Sequence, residues 1–458
     1  MDIKNKTTSL WSNFFNLNMP QIRAFHMSWF AFFLCFFAWF GIAPLMAVVR
    51  EELSLTKEQV GWSIIASVTI TIFARLAIGW LCDRIGPRLA YTWLLVLGSL
   101  PVMGIGLAHD FQTFLIFRLL IGVIGASFVI TQYHTSVMFA PNIVGTANAT
   151  SAGWGNLGGG VTQFVMPLLF GLFVTTMGFS SAMGWRLSMV VAGVVCCLTG
   201  IAYYCFTQDT PEGSFKELRA AGKLPSTKKA NGEFWAACRD HRVWALFVIY
   251  GACFGIELTL NNIAALYFID YFDLGLATAG MMAASFGLMN LFARTLGGAS
   301  GDLFGSKWGL RGRVTWLFFA LFCEGIALMF FSQMTALAVA LPALVVFSLF
   351  VQMSEGATFS VVPFVNKKAL GAVAGIVGAG GNAGAVAAGF LFKGSLEWPT
   401  ALLILGGLVT TVAFLAFAVQ FDEVAESAAR EEYNDAVKCL PRTTRPEPVG
   451  ELEPVFNA

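Results

Sequence analysis

One spaced pattern occurs twice in this chain and decides its fold class. The first copy reads Arg75-Leu76-Ala77-Ile78-Gly79-Trp80-Leu81-Cys82-Asp83-Arg84-Ile85-Gly86, and the second reads Arg294-Thr295-Leu296-Gly297-Gly298-Ala299-Ser300-Gly301-Asp302-Leu303-Phe304-Gly305. Both copies fit Arg-x-x-x-Gly-x-x-x-Asp-x-x-Gly. Each begins inside an apolar stretch, where an arginine is costly unless it faces a partner or an aqueous cavity. The repetition predicts two related halves, each of which contributes one buried arginine.

The composition indicates a membrane protein. Hydrophobic residues make up 57% of the chain and charged residues only 12%, whereas a soluble domain has about 25% charged residues. Apolar stretches long enough to cross a bilayer need about 20 residues. We predict an all-α polytopic membrane protein with twelve transmembrane helices, at roughly 28–49, 59–81, 89–108, 112–138, 146–175, 184–206, 242–270, 276–300, 313–332, 335–361, 369–392 and 398–420.

The polar segments predict the domain organisation and the topology. Residues 208–241 form the one long polar interruption, so we predict a six-helix half at 1–207, a cytoplasmic linker at 208–241 and a second six-helix half at 242–421. Lys and Arg concentrate on the side that carries this linker, which is typical of the cytoplasmic side. Both termini are therefore expected in the cytoplasm, and the tail at 422–458 is expected to be partly disordered because its end is rich in proline.

A second motif is also repeated. Asn156 follows closely spaced glycines in the fifth predicted span, and Asn382 does so in the eleventh. Glycine lets membrane helices approach each other closely, and an asparagine amide donates to an oxyanion without adding charge. Two interpretations remain open: the segments line a pore, or they serve helix packing alone.

The two arginines are the principal candidates for binding. Arg75 precedes Asp83 by eight residues, which is about 12 Å along a helix, so it lies near the membrane midplane if Asp83 marks the cytoplasmic end. Arg294 and Asp302 repeat that spacing. Two guanidinium groups can hold a planar oxyanion through several charge-assisted hydrogen bonds. The alternative is a structural arginine paired with an acid or with backbone carbonyls.

The acidic ends of the two patterns predict a gate. An aspartate near a helix C-terminus is unfavourable unless it is paired. We therefore assign Asp83, together with Arg84 and Arg88, to a cytoplasmic gate between the halves, with Asp302 as its counterpart in the second copy.

Two ionisable residues within predicted spans are candidates for coupling to protons. Glu257 shares one helix face with Tyr250 and Phe254, because the spacings are seven and three residues. Glu257 either carries a coupling proton or pairs structurally with an arginine. His134 is a second candidate, and a hydrogen-bonded packing role is the alternative.

Enzymatic chemistry is not indicated. The sequence shows no nucleophile with a neighbouring base, no spaced cluster of metal ligands and no nucleotide-binding loop. We expect no cofactor, no bound metal and no nucleic-acid partner, and contact with membrane lipid along the spans.

Several motifs resemble those of a known family. The sequence Gly79-x-x-x-Asp83-Arg84-x-Gly86-x-Arg88 resembles a loop motif of the major facilitator superfamily. The glycine-asparagine segments at 153–163 and 375–389 are similar to the two signature segments of its nitrate/nitrite porter family. The stretch Trp39-Phe40-Gly41-Ile42-Ala43-Pro44-Leu45 is similar to the first span of the high-affinity nitrate uptake branch.

This resemblance implies a function and a set of binding residues. It implies a secondary active transporter that moves nitrate and nitrite by alternating access, with proton-coupled uptake through a plasma or bacterial inner membrane. Other interpretations are a nitrate/nitrite exchanger, a carrier of another small anion and a membrane nitrate sensor. Plant relatives can require an accessory protein, on which the sequence is silent. The implied substrate-binding residues are Arg75, Arg294, Asn156, Phe128, Tyr250 and Phe254, to which the internal repeat adds Asn382.

Overall fold

The computed structural model describes residues 3–223, 234–274, 282, 285–393 and 396–438, and their regular secondary structure is helical. Residues 224–233 of the predicted linker, part of the eighth predicted span and residues 439–458 of the tail lie outside the described residues. The main helices are α1 Pro20–Phe40, α2 Lys57–Ile85, α3 Pro87–Gly104, α4 Phe111–Met138, α5 Val144–Gly171, α6 Ser181–Phe206, α7 His241–Phe272, α8 Ala293–Ser332, α9 Leu337–Val365, α10 Leu370–Lys393, α11 Trp398–Ala413 and α12 Glu423–Lys438.

The lengths of these helices suit a bilayer. Within the described residues, ten helical runs are long and apolar enough to cross a membrane. The helix α2 has 29 residues and is therefore about 43 Å long at 1.5 Å per residue. Its length exceeds the thickness of the hydrocarbon core, which is roughly 30 Å. The helix α12 is different, because it is rich in charged residues and lies beside the bundle as an amphipathic surface helix.

The helix α8 carries parts of two predicted spans, joined by a sharp bend. The backbone leaves helical geometry at Trp308 and at Gly309, which has φ 66°. A side chain is strained at such a positive φ, and glycine is not. Helical structure resumes at Leu310, whose amide donates to the Glu426 carboxylate at 2.8 Å. The bend thus separates the end of the eighth predicted span from the ninth.

The corresponding turn in the first half is built in the same way. Gly86, between α2 and α3, has φ 88°, and the amide of Arg88 donates to Asp209 at 2.9 Å. Asp209 follows the sixth span as Glu426 follows the last. Burial raises the pKa of Asp209 and of Glu426, and the amide donors oppose that rise. In each half, an acid beyond the last span therefore caps the helix that follows the repeated motif.

The two halves meet along two helix pairs, α2 with α10 and α8 with α5. A β-carbon added to Gly79 would lie 2.3 Å from the carbonyl oxygen of Gly371, and one added to Gly298 would lie 2.2 Å from that of Gly145. Both distances are below van der Waals contact. The glycine of each repeated motif therefore permits backbone-to-backbone contact between the halves.

The first described residues of the chain and the helix α12 lie on one face of the bundle, which we call the termini face. The backbone of Thr7 pairs with the loop after α4, accepting from Ala140 at 2.9 Å and donating to Met138 at 3.1 Å. The helix α12 is attached there by an ion pair between Lys367 and Glu432 at 2.5 Å. The N-terminal segment and α12 line a shared open cavity of about 620 Å³.

A candidate anion site between the two halves

Arg75 lies fully buried at the centre of the bundle, and its hydrogen-bond partners among the described residues are neutral. Its Nε donates to the carbonyl of Gly125 at 3.3 Å, and its Nη1 donates to that of Gly378 at 2.5 Å. With the Asn382 amide oriented so that its oxygen faces the guanidinium, that oxygen accepts from Nη1 at 2.9 Å and from Nε at 3.2 Å. Nη2 has no hydrogen-bond partner among the described residues. Arg75 therefore keeps its charge and one donor group available.

Arg294 is equally buried but lies among acids. Its Nη2 donates to the hydroxyl of Tyr250 at 2.8 Å. Its Nη1 forms an ion pair with Glu355 and lies 3.9 Å from a carboxylate oxygen of Glu257. The Glu257 carboxyl also accepts from the side chain of Asn290 at 2.6 Å. The two arginines of the repeat thus differ in charge balance although their sequence positions correspond.

Two aromatic rings lie beside both arginines. The guanidinium carbon of Arg75 is 5.1 Å from the centroid of Phe128 and 5.2 Å from that of Phe254, and the corresponding distances for Arg294 are 5.7 and 5.9 Å. Phe128 and Phe254 are nearly parallel, with Tyr250 stacked against each. Cation–π contacts of this kind contribute about 0.5–2 kcal/mol each. The two rings thus contact two like charges in a buried site.

The two asparagines reach the arginine clusters from opposite halves. Asn382, in α10, contacts Arg75 of the N-terminal half. Asn156, in α5, lies 3.5 Å from Glu257 and 3.5 Å from Asn290, both in the C-terminal half. Most of the neighbouring glycines serve close packing, as at Gly155 and Gly158, where an added β-carbon would collide with α1. Packing and polar contact therefore coexist in these segments.

Asp83 and Asp302 make equivalent contacts between the halves on the termini face. Asp83 accepts from the amides of Gly371 at 3.1 Å and Ala372 at 2.9 Å, which are the second and third residues of α10. Asp302 accepts from the corresponding amides of α5, those of Gly145 at 3.0 Å and Thr146 at 2.6 Å. A helix N-terminus presents free amides and a partial positive charge, so each carboxylate binds the start of a helix in the other half.

The arginines that follow Asp83 are placed differently. Arg88 donates to the carbonyl of Tyr204 at 2.8 Å and stacks on that ring. Arg84 lies over Trp80, and its carbonyl accepts from Arg219 at 2.6 Å. These described contacts of Arg84 and Arg88 all lie within the N-terminal half and its linker. The described contacts with the opposite half are therefore made by the two aspartates and not by these arginines.

The two candidates for proton coupling lie in different places. Glu257 belongs to the Arg294 cluster. His134 is part of α4 and faces α6; its Nε2 donates to the carbonyl of Gln208 at 2.8 Å and its Nδ1 accepts from the hydroxyl of Tyr203 at 2.5 Å. The donor assignment follows because a carbonyl oxygen only accepts. Both ring nitrogens are thus engaged in hydrogen bonds, one within the N-terminal half and one to the first residue of the linker.

Sequence reasoning missed several residues of the site. Glu355 and Phe359 lie one helical turn apart in α9, and Phe359 packs edge-on against Phe128 with ring centroids 4.8 Å apart. Asn290 precedes Arg294 by four residues, a spacing that would have placed it on the same helix face. The carbonyls of Gly125 and Gly378 carried no sequence signal, because every residue has a carbonyl.

The fold and this site define a class of protein: a membrane carrier whose two repeated halves enclose a buried site with one arginine from each half. The sequence model of the Major Facilitator Superfamily matches residues 28–365. The solved structure of the proton:xylose symporter XylE aligns with a TM-score of 0.68 at 13% identity, covering 88% of this chain and 96% of that chain. The human organic anion transporter MFSD10 aligns with a TM-score of 0.62 at 15% identity, covering 87% of this chain and 99% of that chain.

More similar relatives narrow this class. High affinity nitrate transporter 2.5 of Arabidopsis thaliana is 41% identical, covering 86% of this chain and 78% of its own length. Nitrate transporter 2.1 of Chlamydomonas reinhardtii is 38% identical, covering 85% of this chain and 72% of its own length. The nitrate/nitrite transporter NrtP of Nostoc punctiforme is 30% identical, covering 86% of this chain and 91% of its own length.

The chain belongs to the major facilitator superfamily and, within it, to the family of these nitrate and nitrite transporters. The predicted twelve-helix fold in two halves is confirmed, as are the multi-pass membrane location and the assignment to a transporter rather than an enzyme.

Proposed function

We propose that this protein transports nitrate, and with it nitrite, across a plasma or bacterial inner membrane by alternating access, and that uptake is coupled to protons. The observation that carries the proposal is the pair of buried arginines beside the shared rings of Phe128 and Phe254. The names of the relatives support nitrate and nitrite as the substrates.

The binding chemistry follows from the surroundings of Arg75. Its described partners are neutral oxygens, so its charge is not cancelled by direct contact, and its Nη2 lacks a partner. A planar anion that lies between Arg75 and Arg294 gains two charge-assisted interactions in a site of low dielectric. Asn382 orients Arg75, while Tyr250 orients Arg294. The rings exclude water and limit the size of the anion.

The gate follows from the contacts of the two aspartates. We assign the termini face to the cytoplasm, with the linker at 208–241 and the tail at 422–458 on that side. The contacts of Asp83 with α10 and of Asp302 with α5 then hold the cytoplasmic side closed. When they break, the half at 1–207 rocks against the half at 242–421 and the site opens inward.

Uptake of an anion needs an energy source. A membrane potential that is negative inside opposes entry by about 2.3 kcal/mol per charge per 100 mV. Proton symport supplies that energy, and Glu257 is better placed than His134 to respond to the substrate, because it lies beside Arg294. An exchanger would instead draw on a gradient of nitrite.

The test is nitrate uptake into proteoliposomes that contain the purified chain. We expect an inward proton gradient to drive accumulation, whereas stimulation by internal nitrite alone would establish exchange. Arg75→Lys and Arg294→Lys should each weaken uptake at least about tenfold, since a charge-assisted hydrogen bond contributes about 1.5–3 kcal/mol. Lysine keeps the charge but loses the planar fork.

Arg186→Lys is the matched control, because Arg186, on α6, pairs with Glu52 away from the site. Normal uptake by both site variants would refute the two-arginine site. Equal inhibition of labelled nitrate uptake by unrelated anions would indicate a broader anion carrier.

A further inference from the structure

The two arginines of the repeat differ in their acidic neighbours. Arg75 has only neutral hydrogen-bond partners among the described residues, whereas Arg294 contacts Glu355 directly and lies close to Glu257. A substrate anion that binds both guanidinium groups can use Arg75 without displacing an acid. At Arg294, it must compete with a carboxylate that already occupies the guanidinium.

Glu355 is placed to be that competitor. It is fully buried in α9, and its carboxylate contacts Nη1 of Arg294. Neither of its oxygens has a neutral hydrogen-bond donor among the described residues. Glu257, by contrast, accepts from Asn290 at 2.6 Å and from Asn156 at 3.5 Å. The ionised form of Glu355 thus depends on Arg294, while that of Glu257 has amide donors of its own.

The net charge of the arginine cluster links the binding of the substrate anion to the uptake of a proton. When Glu355 and Glu257 are ionised and the nearby Glu324 is protonated, the two negative charges offset the two arginines. An entering monovalent anion adds a negative charge to this dry site, where an unbalanced charge is expensive. Protonation of one carboxyl restores the balance, and the carboxyl that loses its arginine to the anion is the one that gains most from protonation.

The surrounding groups favour Glu355 for this role. The ionisable groups that face it are Arg294, Glu257 and Glu324, with Tyr250, Cys253 and Arg75 farther along the cluster. Glu257 and Glu355 both lie beside Nη1 of Arg294, with Glu257 at 3.9 Å, so the two carboxyls are neighbours and protonation of one relieves the repulsion between them. Glu324 interacts instead with Ser354, and neither arginine is within ion-pair distance of it among the described residues.

We propose that the carboxylate of Glu355 occupies Arg294 when no substrate anion is bound, and that Glu355 takes up a coupling proton when nitrate replaces it on Arg294. The carboxylate and an external proton form a carboxylic acid, the ion pair with Arg294 opens, and nitrate occupies the guanidinium. Release of nitrate to the cytoplasm lets Glu355 lose its proton and bind Arg294 again. This inference rests on the proposed nitrate transport and adds the site of coupling.

The experiment separates coupling from binding. Wild type, Glu355→Gln, Glu257→Gln and the control Glu324→Gln are reconstituted into proteoliposomes. Two quantities are measured: exchange of labelled for unlabelled nitrate without a gradient, and net accumulation driven by an imposed pH gradient. Each coupled proton sustains about a tenfold higher accumulation per pH unit. We expect Glu355→Gln to keep exchange and to lose about tenfold in accumulation per pH unit, and Glu324→Gln to retain both.

The outcomes are distinct. Undiminished pH-driven accumulation in Glu355→Gln refutes the inference. A loss of accumulation in Glu324→Gln equal to that in Glu355→Gln refutes it as well. A loss of accumulation in Glu257→Gln alone would assign the coupling to Glu257. If Glu355→Gln fails to insert into the membrane, proton uptake is measured when nitrate is added to wild type and to Glu355→Asp. Nitrate binding by wild type without proton uptake refutes the inference. Absence of nitrate exchange in wild type would refute the proposed function itself.

Discussion

The carboxylate of Asp83 binds the backbone amide of Gly371 at 3.1 Å, although 288 residues separate them in the chain. Asp302 binds the amide of Gly145 in the corresponding way at 3.0 Å. Each contact joins the end of a repeated motif in one half to the start of a glycine-rich helix in the other. On the termini face, the halves are therefore joined by two copies of one interaction related by the internal repeat, which suits a structure that must open and close as a unit.

Removal of these contacts should open the termini face. In Asp83→Ala and Asp302→Ala, a lost helix-capping contact costs about 0.5–2 kcal/mol, enough to shift the balance of states about tenfold. Spin labels at the exposed Ala220 and Lys368, in a cysteine-free background, should report a longer distance. Asp110→Ala is the control, because Asp110 caps α4 within one half. Unchanged distances in both site variants would contradict the assigned gate.

The glycines of the repeated motif should not tolerate a methyl group. Gly79→Ala and Gly298→Ala place a β-carbon 2.2–2.3 Å from a carbonyl oxygen of the other half, and overpacking costs about 1–3 kcal/mol. We expect a lower melting temperature in detergent and weaker uptake. Gly407→Ala, where nothing lies within 4 Å of the added carbon, should behave like wild type. Wild-type stability in both motif variants would show that the helices separate without cost.

The shared ring of Phe128 should contribute to anion affinity. Phe128→Leu keeps an apolar side chain but removes the cation–π contacts with both arginines, worth about 0.5–2 kcal/mol each. A roughly tenfold rise in the Kd for nitrate is expected by isothermal titration. Phe347→Leu, at a buried aromatic contact with Phe286 in the C-terminal half, is the control and should leave the Kd unchanged. A similar Kd for all three proteins would exclude this contribution.

Asn382 tests whether charge or hydrogen bonding matters at Arg75. Asn382→Ala removes one acceptor and should weaken nitrate binding modestly, because a single hydrogen bond contributes about 0.5–1.5 kcal/mol. Asn382→Asp places a negative charge on the same guanidinium and should abolish detectable binding by occupying it. Equal binding by the alanine and aspartate variants would mean that Arg75 does not hold the anion.

The two acids of α12 should differ in importance. Glu432 pairs with Lys367 at the surface, with side chains 49% and 37% exposed, and such pairs contribute about 0–1 kcal/mol. Glu426 caps Leu310 at the bend in α8. We expect Glu426→Ala to lower the melting temperature clearly and Glu432→Ala to change it little. The reverse order would indicate that the tail is held by its surface charges.

The candidate site was only partly predictable from the sequence. Arg75, Arg294, Asn156, Asn382, Phe128, Tyr250 and Phe254 were all named, and the structure brings them into one region between the halves. Glu355 and Phe359 escaped because their helix carries no repeated motif, so their relation to Arg294 depends on how α9 packs. The cytoplasmic gate stays a prediction: the two aspartates contact the opposite half, whereas the described contacts of Arg84 and Arg88 lie within the N-terminal half and its linker.

The sequence by itself determined the membrane fold, the internal repeat and the two arginines, because hydrophobic length, motif spacing and the cost of a buried charge are local properties of the chain. Only the tertiary structure decided that one arginine keeps neutral partners while the other is paired with Glu355, and that each aspartate binds a helix start in the opposite half. Those contacts join residues far apart in sequence, and electrostatic balance in a dry site depends on which groups the packed helices bring within a few ångströms.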